Sequence, residues 1–208
     1  LNWRGDLSFR QSPFNEVDGA ILAKLSYLPL ERVLEQGSME PVSIADAAKK
    51  LLSIPNIDGS FMRKEDSPLL SALAESPRFC NMCLFNCVNR FDPESQTQFC
   101  AMTVRMSESE LYVAFRGTDN TLVGWKEDFN MCFVCPVPAQ KLAVEYLEGV
   151  AKSSVGRITV GGHSKGGNLA VYAAAFVSPA AQLRVQAIYN YDGPGFDDKV
   201  LSTDGYKN

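Results

Sequence analysis

One histidine stands among the 208 residues, and no apolar run approaches the roughly 20 residues needed to cross a bilayer. Lysine and arginine never gather: the densest basic runs are Lys49-Lys50 and Arg63-Lys64, and the formal net charge is −4. These shortages exclude a transmembrane segment. They also argue against a nucleic-acid partner, because contacts to phosphates need clustered cations. Neither an internal repeat nor a low-complexity tract is present. No signal peptide is visible, so a cytoplasmic location is expected; the chain opens on Leu1 and not Met, which leaves its true start open.

What is there begins with an ordinary composition, 46% hydrophobic and 21% charged, enough for one domain with a real core. Six cysteines include two pairs at metal-ligand spacing, Cys80-x-x-Cys83 and Cys132-x-x-Cys135. Their neighbours are Phe79, Met82, Leu84, Phe133 and Val134, where a free cysteine serves as a small buried hydrophobe. No metal, no cofactor and no disulfide framework is therefore expected.

The first 90 residues read as helical and irregular. Val17, Ile21, Leu22, Leu25 and Leu28 share a helix face, Ile44, Ala47, Ala48 and Leu51 form a second, and Asp66-Ser67-Pro68 starts a third. From residue 91 the period changes. Gln98–Val104 and Leu111–Phe115 read as strands, Pro138-Ala139 opens a helix, Ile158–Val160 is a short β-branched strand, Leu169–Val177 is an apolar helix, and Val185–Tyr189 is a further strand. This alternation predicts an α/β fold with a mainly parallel sheet and helices on both faces.

Gly162-His163-Ser164-Lys165-Gly166 matches G-x-S-x-G between a predicted strand and a predicted helix. The turn must be so sharp that small residues are needed two before and two after the serine, and Gly162 and Gly166 satisfy this. It sets Ser164 at the positive end of the following helix, where an oxyanion is stabilised. A phosphate-binding loop does not fit, since neither G-x-x-x-x-G-K-[ST] nor G-x-G-x-x-G can be drawn here. Ser164 is the candidate nucleophile. Phe115-Arg116-Gly117-Thr118, at the end of another strand, is placed to offer a backbone donor facing it.

Phe115-Arg116-Gly117-Thr118, then Trp125-x-x-Asp128, then Gly162-His163-Ser164-x-Gly166-Gly167 resembles the class 3 lipases. The chain is more similar still to a bacterial family of lipase-like α/β-hydrolases to which no function is assigned. That likeness includes Trp3–Phe9, Gly124–Phe129, Pro138-Ala139-Gln140 and Asp192–Phe196. The resemblance implies an α/β-hydrolase fold, with the amide and hydroxyl of Thr118 and the amide of Lys165 as the oxyanion hole. It also implies that Arg116 and Asp128 brace the oxyanion loop, and their spacing leads us to expect a charge-assisted pair. Leu122, Val123, Trp125, Phe129 and Met131 match the lipase lid, although such an apolar stripe is more often plain core packing. Lys165 replaces the apolar residue usual after the serine, placing a cation beside the elbow to favour an anionic substrate or to pair with a carboxylate.

The triad is incomplete. His163 adjoins Ser164 and its ring cannot reach the serine hydroxyl in the geometry a base requires. In this fold the histidine follows the acid in the chain, so it is expected beyond residue 208, together with the remaining strands. Asp192 is either the acid or a plain turn residue of Asp192-Gly193-Pro194-Gly195. The expected function is hydrolysis of small or lipid-like esters or thioesters through an acyl-enzyme on Ser164. The alternatives are a catalytically inactive α/β-hydrolase-fold binding or scaffold protein, or an acyltransferase.

Overall fold

The computed structural model describes residue 1 and residues 4–57, 62–119 and 121–207. Helix α1, Glu16–Leu25, begins where Asn15 accepts from the Val17 amide at 2.9 Å while Asp18 accepts from the Asn15 amide at 3.0 Å. Asp18 is buried and bonded to the Arg78 guanidinium, which also takes the carbonyls of Leu7 and Ser12 at 3.0 and 2.9 Å. One arginine thus pins the N-terminal segment to α1. Helix α2, Ile44–Leu52, is capped by Ser43, and helix α3 spans Asp66–Glu75.

The sheet has six strands in sequence order: β1 Val42–Ser43, β2 Cys83–Asp92, β3 Thr97–Ser107, β4 Glu110–Phe115, β5 Arg157–His163 and β6 Val185–Tyr191. Three neighbouring pairs, β1–β2, β2–β3 and β3–β4, are antiparallel, and only β4–β5 and β5–β6 are parallel. The sheet is therefore mixed, which corrects the expectation of a mainly parallel one. The split at residue 90 is corrected too, because β2 occupies 83–92 and so begins inside the stretch read as helical and crosses its end. A bulge between Phe85 and Val88, with Asn86 at a φ of 50°, interrupts the alternation that would have marked a strand.

Alternation along β4 divides the core. Tyr112 and Ala114 pack with α1, α2 and α3, whereas Leu111, Val113 and Phe115 pack with helices α5, Pro138–Ser153, and α6, Lys165–Phe176. Helix α4, Leu122–Asn130, lies against β3. Among the described residues no helix is long and apolar enough to cross a membrane.

The cysteines divide as well. Cys87 is buried, and burial pushes its thiol up to about 12 and that of half-buried Cys100 up to about 11. Cys132 and Cys135, expected in apolar surroundings, are exposed, since the turn after α4 lies outside both cores. In the native protein a thiol reagent at pH ~8 is expected to modify Cys132, while Cys87 and Cys100 react only on unfolding. Peptide mapping that finds Cys87 modified as fast as Cys132 would overturn this order.

Candidate active site

Strand β5 passes into α6 through a single residue, Ser164, whose backbone sits at φ 56° and ψ −130°. A non-glycine residue there carries strain of about 1–3 kcal/mol and persists only where the surroundings impose it. They do. A Cβ at Gly166 would overlap the Phe115 carbonyl at the end of β4, and one at Gly162 would strike the Gly166 carbonyl. The Ser164 amide donates to the Tyr191 carbonyl at 2.9 Å, and its own carbonyl accepts from the Gly167 amide at 2.9 Å. Both neighbouring strands therefore fix the turn, and no side chain among the described residues hydrogen-bonds the Ser164 hydroxyl.

Ser164 lines an open cleft of about 300 Å³. Thr118, His163 and Tyr191 border it from the strand ends, and Lys24, Tyr27 and Arg63 from the N-terminal helical part. The loop leaving β4 runs against the elbow, where a Cβ on Gly117 would lie 3.3 Å from that of Ser164 and 2.5 Å from the His163 carbonyl. This brings Thr118 to the cleft, as expected. The amides of Thr118 and Lys165 have no acceptor among the described residues; for Lys165 that follows from its place in the first turn of α6. Of these, Thr118 lines the cleft together with the Ser164 hydroxyl, and Lys165 is the next residue after the serine.

The expected Arg116–Asp128 pair does not form. Buried Arg116 donates through Nη2 to Asn89 Oδ1 on β2 at 3.1 Å, and its Nε has no partner among the described residues. Asp128 Oδ2 instead accepts the Thr118 hydroxyl, leaving Oδ1 unpartnered. The physical reason is direction: the Arg116 side chain follows the sheet toward β2, while α4 presents Asp128 to the loop. Asp128 still holds the loop, through Thr118 and not through an ion pair.

Lys165 takes the carboxylate option and is not a cation of the cleft. Its ammonium is 1% exposed and donates to Gln98 O and Oε1, both at 2.7 Å, and to Glu127 Oε2 at 2.8 Å. Glu127, 0% exposed, also accepts from the Gln98 amide at 3.1 Å and, through Oε1, from the Ala139 amide at 3.0 Å. One carboxylate thus joins the elbow, β3, α4 and the start of α5. Sequence reasoning missed Glu127. The available signal was Lys165 itself, the only charge between Arg157 and Arg184, in an apolar helix where a cation requires a partner.

His163 is exposed, and its Nδ1 lies 3.0 Å from the Tyr27 hydroxyl with no hydrogen bond to Ser164. Burial raises the Tyr27 phenol above its usual range, so it stays protonated in that contact. Asp192 follows β6, exposed, at a φ of 57°, and no described residue hydrogen-bonds its carboxylate. That geometry is the turn residue's; aspartate tolerates positive φ better than most. Asn168, near the start of α6, is buried. It links Gln140 Nε2, at 2.9 Å, to the Pro194 carbonyl, at 3.0 Å, fixing the loop after β6 to the elbow helix.

A mixed sheet covered by helices on both faces, with a serine held at positive φ between strand and helix beside a cleft, defines an α/β protein built around that turn. A family model described as Mbeg1-like matches residues 73–208, and the chain belongs to this family. No curated protein and no solved structure matches the chain. The matched region holds Ser164, Thr118 and Glu127, but not Lys24, Tyr27 or Arg63.

Proposed function

We propose that the protein is a serine hydrolase of the α/β-hydrolase kind, cleaving small carboxylic esters or thioesters through an acyl-enzyme on Ser164. The observation that carries this reading is the Ser164 backbone, φ 56° and ψ −130°, at a strand-to-helix turn that opens on a cleft. Strain of this kind concentrates at functional sites, and the turn leaves the hydroxyl without a competing partner. In the proposed step Ser164 Oγ attacks the carbonyl carbon, its proton passes to a base, and the tetrahedral oxyanion is held by the amides of Thr118 and Lys165. Collapse then expels the alcohol or thiol, which takes up that proton, and water releases the acid. The Thr118 hydroxyl is committed to Asp128, so only its amide serves the oxyanion.

The base in this reading is not His163, whose Nδ1 is engaged by Tyr27. The test uses the full-length protein and asks whether Ser164 is activated, whichever group takes its proton. A fluorophosphonate, which phosphonylates activated serines, is expected to add to one residue, and mass mapping of the adduct should place it on Ser164. An adduct on another serine, or none in a folded sample, removes the hydrolase reading.

A further inference from the structure

We propose that the Ser164 cleft selects small esters carrying a negative charge, a carboxylate or a phosphate, and that Arg63 is the residue that recognises it. The proposal rests on the reading of Ser164 as nucleophile for its catalytic part, and on the cleft alone for its binding part.

The charge balance of the cleft runs against that of the chain. The sequence has 24 acidic and 20 basic residues, yet the described residues bordering the cleft include two cations, one imidazole and two phenols, and no carboxylate. Lys24 is already engaged: its Nζ lies 2.7 Å from Asp66 Oδ1, and 5.8 Å from the centre of the Tyr27 ring. The other oxygen of Asp66 accepts the Arg63 amide at 2.8 Å. The one negative charge of Asp66 is thereby matched to Lys24, and only the backbone of Arg63 uses it. The Arg63 guanidinium is exposed, without an ion pair or hydrogen bond among the described residues. Neither Asp128, which accepts from the Thr118 hydroxyl, nor Asp192 is among the described residues that line the cleft.

An uncompensated guanidinium at the wall of a concave site raises the local concentration of anions and offers a planar fork matched to carboxylate and phosphate. The expected place for such a cation was Lys165, but that ammonium is buried behind the elbow. The cleft volume of about 300 Å³ stands at the lower end for small-molecule sites, which favours a short acyl group.

The test compares matched esters on the full-length protein. One pair is 4-nitrophenyl hydrogen succinate against 4-nitrophenyl butyrate; the other is 1-butyrylglycerol 3-phosphate against 1-butyrylglycerol. The anionic member of at least one pair is expected to have the higher kcat/KM, by about tenfold at low salt, with the preference shrinking as salt screens it. The pair that shows it identifies carboxylate or phosphate as the source. Arg63→Glu is expected to abolish the preference and Arg63→Lys to restore part of it. Equal rates within both pairs, or a preference unchanged by Arg63→Glu, overturns the proposal. Calorimetric titration with succinate and with glycerol 3-phosphate reads the site without turnover. Binding that Arg63→Glu removes, in a protein that cleaves no ester, keeps the anion site and rejects the nucleophile. Binding equal in both proteins rejects the anion site whatever Ser164 does.

Discussion

Replacing Ser164 by alanine in the full-length protein is expected to abolish fluorophosphonate attachment and to lower ester turnover by about 10⁶-fold, as loss of a serine nucleophile does. The fold should persist, since the turn is imposed by Gly162, Gly166 and the Phe115 carbonyl and not by the hydroxyl. Alanine inherits the strained backbone. Glycine does not, because it populates positive φ freely, so Ser164→Gly should be equally inactive and more stable than Ser164→Ala by about 1 kcal/mol. The pair separates chemistry from strain. Residual labelling of the alanine variant removes Ser164 from the mechanism, and a glycine variant less stable than the alanine one removes the strain.

Replacing Glu127 by alanine is expected to give the largest loss of stability, about 3–5 kcal/mol, because it strands a buried ammonium. Lys165 would keep its two contacts to Gln98 but lose its only counter-charge, and the amides of Gln98 and Ala139 would lose their acceptor. Removing both charges together tells the two contributions apart. Glu127→Leu with Lys165→Met should recover most of the loss, since buried pairs replaced by apolar residues are often neutral. The remaining deficit measures the unpaired amides. Denaturant unfolding at low and high salt is the measurement, and the effect should be insensitive to salt because water does not reach the pair. A single Glu127→Ala variant within about 1 kcal/mol of the parent would show that the pair contributes no more than an exposed one.

Much of the site was legible because the chemistry of the elbow is written in adjacent residues. Two glycines flanking a serine at fixed spacing, between a β-branched strand and an apolar helix, admit few other structures. Strands β3 to β6 were legible for a related reason: the segments that were read are short runs rich in apolar, β-branched and aromatic residues. Strand β2 was hidden by its bulge at Asn86, which shifts the apolar positions out of register. The partners of the charged residues were not legible at all. Arg116 and Asp128 are near in sequence and of opposite sign, yet Asn89 takes one and Thr118 the other. Spacing along a chain does not give side-chain direction across a sheet, and Glu127 faces a different neighbour from Asp128 because successive helical residues point roughly 100° apart.

Helix α4 turns a bare apolar face to solvent, with Leu122 72%, Trp125 67% and Phe129 67% exposed, although a stripe of this kind reads as core packing. Its opposite face carries Glu127, fully buried, and Asp128, bonded to Thr118. Lifting this helix as a hinged flap would break the buried ion pair and bare two backbone amide contacts at once. Its slow breathing must therefore follow the opening of β3 and the elbow, not precede it. In hydrogen exchange the inner amides of α4 would then share the protection of the sheet, while the apolar side chains outside stay permanently wet.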